Sequence, residues 1–284
     1  MAARKLSTIL ELLASGIAAA TILALLVIGL GSSALGLIQR PTARHQTGTP
    51  SSGATATPTA SPTPSPTPTP PTPLVYLTAH GNPHLHEIAL TFDDGPAQGY
   101  TEAVLGVLKQ FHIHATFFML GIWVQTYPNL AREVVADGHA IGDHTWNHPD
   151  LTRLSPDQAR QQIIDARNTI QKVTGITPTL FRPPYGSYNR PILDIAHSLK
   201  LSTILWNVDP RDWSRPGVGA ITNNILTFTQ NGSIILMHDG GGDRSQTVAA
   251  LTTVIETLLA RGFTFVTIPE MLRHLPPAPI TQQP

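Results

Sequence analysis

The chain has 284 residues, no formal net charge and a pI near 7.2, so no general attraction to nucleic acid is built into it. It contains no cysteine, which excludes disulfides, thiolate-bound metal and a cysteine-linked lipid. Any metal must be held by His, Asp or Glu, and the length allows one large domain or two ordinary ones.

Arg4 and Lys5 precede an apolar stretch that is uncharged from Leu12 to Leu30 and runs on with small residues to Ile38. It is long enough to span a bilayer and exceeds the roughly 7–15 apolar residues of a signal-peptide centre. Residues 1–40 are therefore expected to be an uncleaved single-pass membrane anchor with the rest of the chain outside the cytoplasm. Cleavage near Ser32 and Ala34 would give a secreted protein instead. Residues 41–73 repeat Thr-Pro and Ser-Pro. With nothing apolar to bury, they are expected to be a disordered linker favouring extended polyproline II and acting as a spacer. A short disordered tail is expected at 277–284.

Residues 74–276 have the composition of one globular domain. Strand-like runs fall near Glu87–Phe92, Ala115–Leu120, Ala140–Asp143, Thr179–Arg182, Ser202–Val208, Gly232–Met237 and Thr264–Ile268. Helical patterns lie between them, near Thr101–Phe111, Asn129–Asp137, Arg190–Leu199, Val218–Gln230 and Ser245–Arg261. The clearest begins at Ser155-Pro156-Asp157-Gln158, a capping box with proline at the first helical position, and ends at Gly175. This alternation predicts an α/β fold with a mostly parallel sheet. Seven strands point to an incomplete or distorted (β/α) barrel, with an open sheet as the alternative.

The polar residues that stand out follow the strands. Asp93 and Asp94 follow the first, Asp143, His144 and His148 the third, and Arg182 closes the fourth. Asp209 and Asp212 follow the fifth, and His238 and Asp239 the sixth. In a barrel of parallel strands these positions converge on one mouth. Taken singly each has a plain reading: Asp93-Asp94-Gly95-Pro96 as a solvated turn, Arg182 as a loop arginine, Trp213 as core packing. Together they do not scatter as loop charges would. His144 and His148, four apart, would share a face on one helical turn, and with an aspartate they make a three-ligand metal site with open positions.

In this order the motifs resemble the NodB-type polysaccharide deacetylases, carbohydrate esterase family 4. The matching stretches are TFDDGP at Thr91–Pro96, HTWNH at His144–His148, RPPYG at Arg182–Gly186, DPRDW at Asp209–Trp213 and LMH at Leu236–His238. The resemblance implies metal-dependent hydrolysis of an N-acetyl group on a sugar. It gives Asp93 as general base, Asp94, His144 and His148 as metal ligands, and Arg182 as the group orienting Asp93. It also gives the Tyr185 N–H as an oxyanion donor, Asp212 as partner of the general acid His238, and Trp213, Leu236 and Pro183 as lining. The expected cofactor is one divalent ion, Zn2+ first, with Co2+, Mn2+ or Ni2+ also suited to these ligands.

The anchor and spacer direct the expectation to a cell-envelope glycan, peptidoglycan N-acetylglucosamine first. Chitin-like oligomers, exopolysaccharide and an inactive glycan-binding module are the alternatives. A glycosidase would leave the two histidines idle, and a non-haem iron oxygenase would not need the second aspartate or His238.

Overall fold

The computed structural model describes residues 71–276. Among them no helix is long and apolar enough to cross a membrane. The expected anchor, the linker to residue 70 and the tail from 277 lie outside the described residues.

The chain alternates strand and helix. The first half holds β1 (Glu87–Asp93), α1 (Tyr100–Gln110), β2 (Thr116–Met119), α2 (Gly121–Thr126), α3 (Pro128–Ala136), β3 (Ala140–Asp143) and α4 (Pro156–Thr174). After β4 (Leu180–Phe181) come α5 (Arg190–Ser198), β5 (Ser202–Thr203), α6 (Val218–Phe228) and β6 (Ile234–His238). The last elements are α7 (Ser245–Ala260), β7 (Thr264–Phe265) and α8 (Ile268–Arg273). Every strand pair is parallel, in the order β5-β4-β3-β2-β1-β6, with β7 paired to the first two residues of β1.

The sheet curls into an irregular barrel. Between β5 and β6 the ladder is replaced by residues 204–208, joined to β6 by a bridge from Val208 to Ile235. The fifth strand, expected to reach Val208, therefore stops at Thr203. Its continuation is interrupted at Asn207, whose side-chain oxygen takes the Ile234 N–H at 2.8 Å. The seventh stops at Phe265 rather than Ile268 because Thr267 and Glu270 form a capping box that starts α8. The long helix α4 follows its signals: Ser155 caps it, Ala159, Ile163, Ala166 and Ile170 are buried, and Gly175 closes it at φ 78°.

Two-residue alternation decides what the barrel encloses. On β1, Ile88, Leu90 and Phe92 point out into the layer packed by α1, α3 and α7, and on β6 Ile235 and Met237 do the same. The complementary set, Ala89, Phe118, Leu180, Ile204 and Ile234, forms an inner cluster plugged by Ile268, Met271 and Leu272 of α8. Gly142 on β3 is required here: a Cβ would lie 2.5 Å from the Phe118 ring that fills the barrel. By the same alternation Thr91, Asp93, Leu236 and His238 share the inner face of their strands. The hydrophobic filling below thus supports a polar ring above.

Both ends of the described chain meet at the amino-terminal ends of the strands. Val75 N–H donates to Ser202 Oγ, at the start of β5, at 2.9 Å, and Thr78 runs parallel to Ile204. Arg273 Nη1 reaches Thr72 Oγ1 at 3.3 Å, and His274 Nδ1 pairs with Glu87, the first residue of β1, at 2.9 Å. Among the described residues the first contacts with the domain are made at Thr72 and Pro73, just inside the stretch expected to be linker.

One buried histidine gives the fold an acid sensitivity. His139 is 7% exposed, its Nδ1 accepts the Ala115 N–H at 3.2 Å, and its ring lies near Phe117 and His114. Burial first, and His114 second, lower its pKa to about 4. The unfolded chain binds this proton at about 6.5. Between those values the unfolded state holds more protons, so stability present above pH 6.5 is lost as pH falls toward 4, by about 2–3 kcal/mol. Urea unfolding from pH 7 to 4.5 should show this loss in wild type and a shallower one in His139→Gln. Parallel pH profiles would assign the loss to another group.

Candidate active site

The inner faces of β1, β3, β4 and β6 end in one cavity of about 490 Å³. Asp93, Asp94, His144, His148, Tyr185, Trp213, Leu236 and His238 line it, with Trp206, Asp209, Gly241 and Arg244. Pro183 does not. It is buried, and its carbonyl accepts the Gly186 N–H at 3.0 Å, so the turn after β4 presents Tyr185 in its place.

The two adjacent aspartates reach one site because the backbone turns between them. Asp93 is the last residue of β1 and faces inward, where the next side chain would ordinarily face out. Asp94 adopts φ 72°, which brings its carboxylate back over the barrel. His144 and His148 are not on a helical turn, contrary to expectation. They sit in a loop in which Thr145 and His148 are left-handed, at φ 74° and 65°. Asp143 holds the first bend by accepting the Thr145 N–H at 2.8 Å. It faces outward from β3, with one oxygen lacking a partner and burial raising its pKa to about 8.

His144 Nδ1 must donate to the Arg182 carbonyl, 2.7 Å away, because a carbonyl only accepts. Burial lowers the His144 pKa to about 3, so the ring is neutral and Nε2 carries a bare lone pair. That nitrogen lies 3.6 Å from Asp93 Oδ2 and 3.6 Å from Asp94 Oδ1. His148 Nε2 is 3.5 Å from the same Asp94 oxygen. Asp94 Oδ1 is buried and has no hydrogen-bond partner. Lone pairs turned on one another at this spacing are repulsive unless a cation lies between them. Ligand atoms of Asp94, His144 and His148 all lie within 4.8 Å of one another, so this donor set fits a divalent ion.

Arg182 is fully buried and is the strut beneath the base. Nη1 donates to Asp93 Oδ1 at 2.7 Å and Thr91 Oγ1 at 2.8 Å, while Nε and Nη2 donate to the carbonyls of Ile204 and Leu205. Its guanidinium lies 4.0 Å over the Phe118 ring. Burial raises the Asp93 pKa and lowers that of Arg182, and their attraction opposes both shifts.

Across the cavity Asp212 is buried and accepts four bonds. Oδ1 takes His238 Nδ1–H at 2.7 Å and the Trp213 N–H at 2.9 Å; Oδ2 takes the His238 N–H at 2.9 Å and Thr247 Oγ1–H at 2.8 Å. Burial pushes the Asp212 carboxyl up, but these bonds outweigh it and hold the pKa down. Burial likewise lowers His238, and Asp212, Asp93 and Asp94 more than compensate, so its pKa is raised. His238 Nδ1 is committed to Asp212, which leaves Nε2 to carry the second proton.

The family model for polysaccharide deacetylases matches residues 80–204. A peptidoglycan-N-acetylglucosamine deacetylase of Bacillus cereus is 44% identical over 189 residues, covering 66% of this chain and 88% of that protein. The chain belongs to the polysaccharide deacetylase family. A chitooligosaccharide deacetylase of Azorhizobium caulinodans is 39% identical, over 64% of this chain and 92% of that one. A crystal structure of a peptidoglycan N-acetylglucosamine deacetylase superposes with TM-score 0.69 at 36% identity, covering 70% of this chain and 94% of the other. A family 4 pseudoenzyme from Bacillus anthracis superposes with TM-score 0.67 at 30% identity, over 70% and 69%. This deacetylase is thus a hydrolase of a metal-dependent family. The matched family span stops at 204, and the barrel brings His238 to the same cavity from beyond it, with Asp212 buried behind it.

Sequence reasoning passed over Trp206 and Arg244. Nothing in a lone tryptophan or an arginine after three glycines marks them out before the barrel is closed. Thr247 was also missed; its hydroxyl secures Asp212 from α7.

Proposed function

We propose that this deacetylase hydrolyses the acetamido group of N-acetylglucosamine units in peptidoglycan, releasing acetate. The observation that carries this is the Asp94, His144 and His148 cluster beside an arginine-held carboxylate, with an aspartate-held imidazole in the same cavity. A divalent ion bound by those three residues would polarise the amide carbonyl and acidify water. Zinc suits two imidazoles and a carboxylate; cobalt, nickel and, more weakly, manganese are the other divalent ions the set could bind.

The chain's own groups do the rest. Asp93, fixed through Oδ1 by Arg182, accepts the proton of the attacking water. The Tyr185 N–H, in a residue turned to φ 60°, donates to the developing oxyanion. His238, kept protonated by Asp212, gives its Nε2 proton to the departing amine. Leu236 and the half-exposed Trp213 wall the slot for the acetyl methyl. The apolar segment and the Thr/Pro/Ser-rich stretch preceding the domain support a membrane-tethered enzyme acting outside the cell.

Acetate release from peptidoglycan, chitin oligomers and exopolysaccharide by the purified chain tests the reading. Peptidoglycan should be turned over fastest. No release from any N-acetylated glycan would sink it in favour of a binding module, a real alternative in a family that includes a pseudoenzyme.

The dyad sets a pH limb. The raised His238 pKa places the fall in activity above about 6.5. Asp212→Asn removes the charge that favours imidazolium, so the alkaline limb of kcat/KM should move to lower pH and the acid limb should stay. A limb that stays or moves up would transfer the role to Asp93 and Asp94, the other charges that favour the imidazolium; Asp239 turns its Oδ2 to Thr101 instead.

A further inference from the structure

Arg244 is a second buried arginine at the cavity, and no step above uses it. It is 4% exposed, and no carboxylate among the described residues lies within salt-bridge distance of it. Its guanidinium instead donates to four backbone carbonyls: Gly240 from Nε at 2.6 Å, Gly241 from Nη2 at 2.9 Å, and Trp213 and Asp243 from Nη1 at 3.3 and 3.4 Å. A buried charge without a counter-charge is costly, so it persists where its bonds hold something in place.

What they hold is two loops, which are joined also at the surface by Arg215 Nη1 and Asp243 Oδ2 at 3.1 Å. Gly240 and Gly241 abut Asp94: a Cβ at Gly240 would lie 2.1 Å from the Asp94 carbonyl oxygen, and one at Gly241 2.5 Å from Asp94 Oδ2. The other loop is the turn Asp212–Ser214, flanked by Arg211 at φ 57° and Arg215 at φ 54°. Left-handed backbone is unfavourable for residues other than glycine, so a tie from outside steadies the turn. Arg244 supplies it through the Trp213 carbonyl, next to the residue that pairs with His238.

We propose that Arg244 is a positioning residue that sets the metal-binding carboxylate Asp94 and the Asp212–His238 dyad at a fixed separation. It is a fork reaching both loops at once, which a single ammonium cannot do. The inference rests on the metal and acid assignments above and adds the group that couples them.

The test uses the full chain as Arg244→Ala and Arg244→Lys, with two readouts that need no turnover. Co2+ affinity is measured by competition with a chelator, and the His238 titration is followed by NMR in metal-free protein, with Asp212→Asn as the reference for complete loss of the partner. Both variants should bind Co2+ about 10–100-fold more weakly, the range for lost support behind a metal ligand. Their His238 midpoint should move down, part of the way to the Asp212→Asn value. Added guanidinium should restore Co2+ binding in Arg244→Ala. Wild-type affinity and an unmoved midpoint in either folded variant would overturn the inference, even if its melting temperature had dropped. If Arg244→Ala does not fold, Arg244→Lys alone decides by the same criteria. Wild type that fails to bind Co2+ would overturn the metal assignment itself, and the inference with it.

Discussion

Asp93→Asn is expected to keep its metal and lose about 10²–10⁴ in kcat/KM. The amide has nearly the volume of the carboxylate and can still accept the Arg182 bond through its oxygen, so the strut and the barrel survive. What it lacks is basicity at the oxygen 3.6 Å from His144 Nε2. Single-turnover acetate release alongside metal content separates the two effects. Unaltered turnover would mean that Asp93 and Asp94 have exchanged roles. Arg182→Ala is a harsher change than its supporting place in the mechanism implies. It removes a fully buried side chain with four hydrogen-bond partners and strands the buried Asp93 charge, and breaking such a pair costs about 3–5 kcal/mol. That variant should be judged by its unfolding midpoint before its rate.

The double variant His144→Ala/His148→Ala should bind no divalent ion and release acetate at the uncatalysed rate. Each imidazole turns a nitrogen toward Asp94 Oδ1, and no other histidine, cysteine or acidic trio among the described residues converges closely enough to substitute. Stripping wild type with a chelator should reproduce the loss, and added metal should reverse it in wild type alone. Equilibrium dialysis at micromolar Zn2+ gives the deciding number: full occupancy in the double variant would end this assignment.

Much of this was open to sequence reasoning because period and position carry it. The seven strand cores, the capping box at Ser155 and the glycine stop at 175 are local signals, and the structure obeys them. Asp93, Asp94, Arg182 and His238 stand at strand ends, where a parallel barrel gathers side chains whatever the loops do. Three kinds of feature were hidden. The HTWNH stretch has helical spacing, yet Asp143 captures the Thr145 N–H and the chain turns left-handed, so a local side-chain bond overrides the period. The short helix α2 has no side-chain cap to announce it, whereas Thr267-Ile268-Pro269-Glu270 was a usable start signal for α8 that went unread. Arg244 acts by touching carbonyls of residues 240, 241, 213 and 243, and carbonyls leave no trace in a sequence.

The foot of the barrel has a practical meaning. Thr72 touches Arg273, and His274 touches the first residue of β1, while the cavity opens where the strands end. Whatever is joined before residue 71 or after residue 276 therefore attaches on the side remote from the cavity. A chain fixed to a bead or a lipid surface by either end should keep an unobstructed approach for a polymer too large to diffuse. The two ends also lie close enough for a short peptide to join them, so the domain is open to circular permutation. New termini are best cut in an exposed loop that carries no metal ligand, such as that at Gly175 and Ile176.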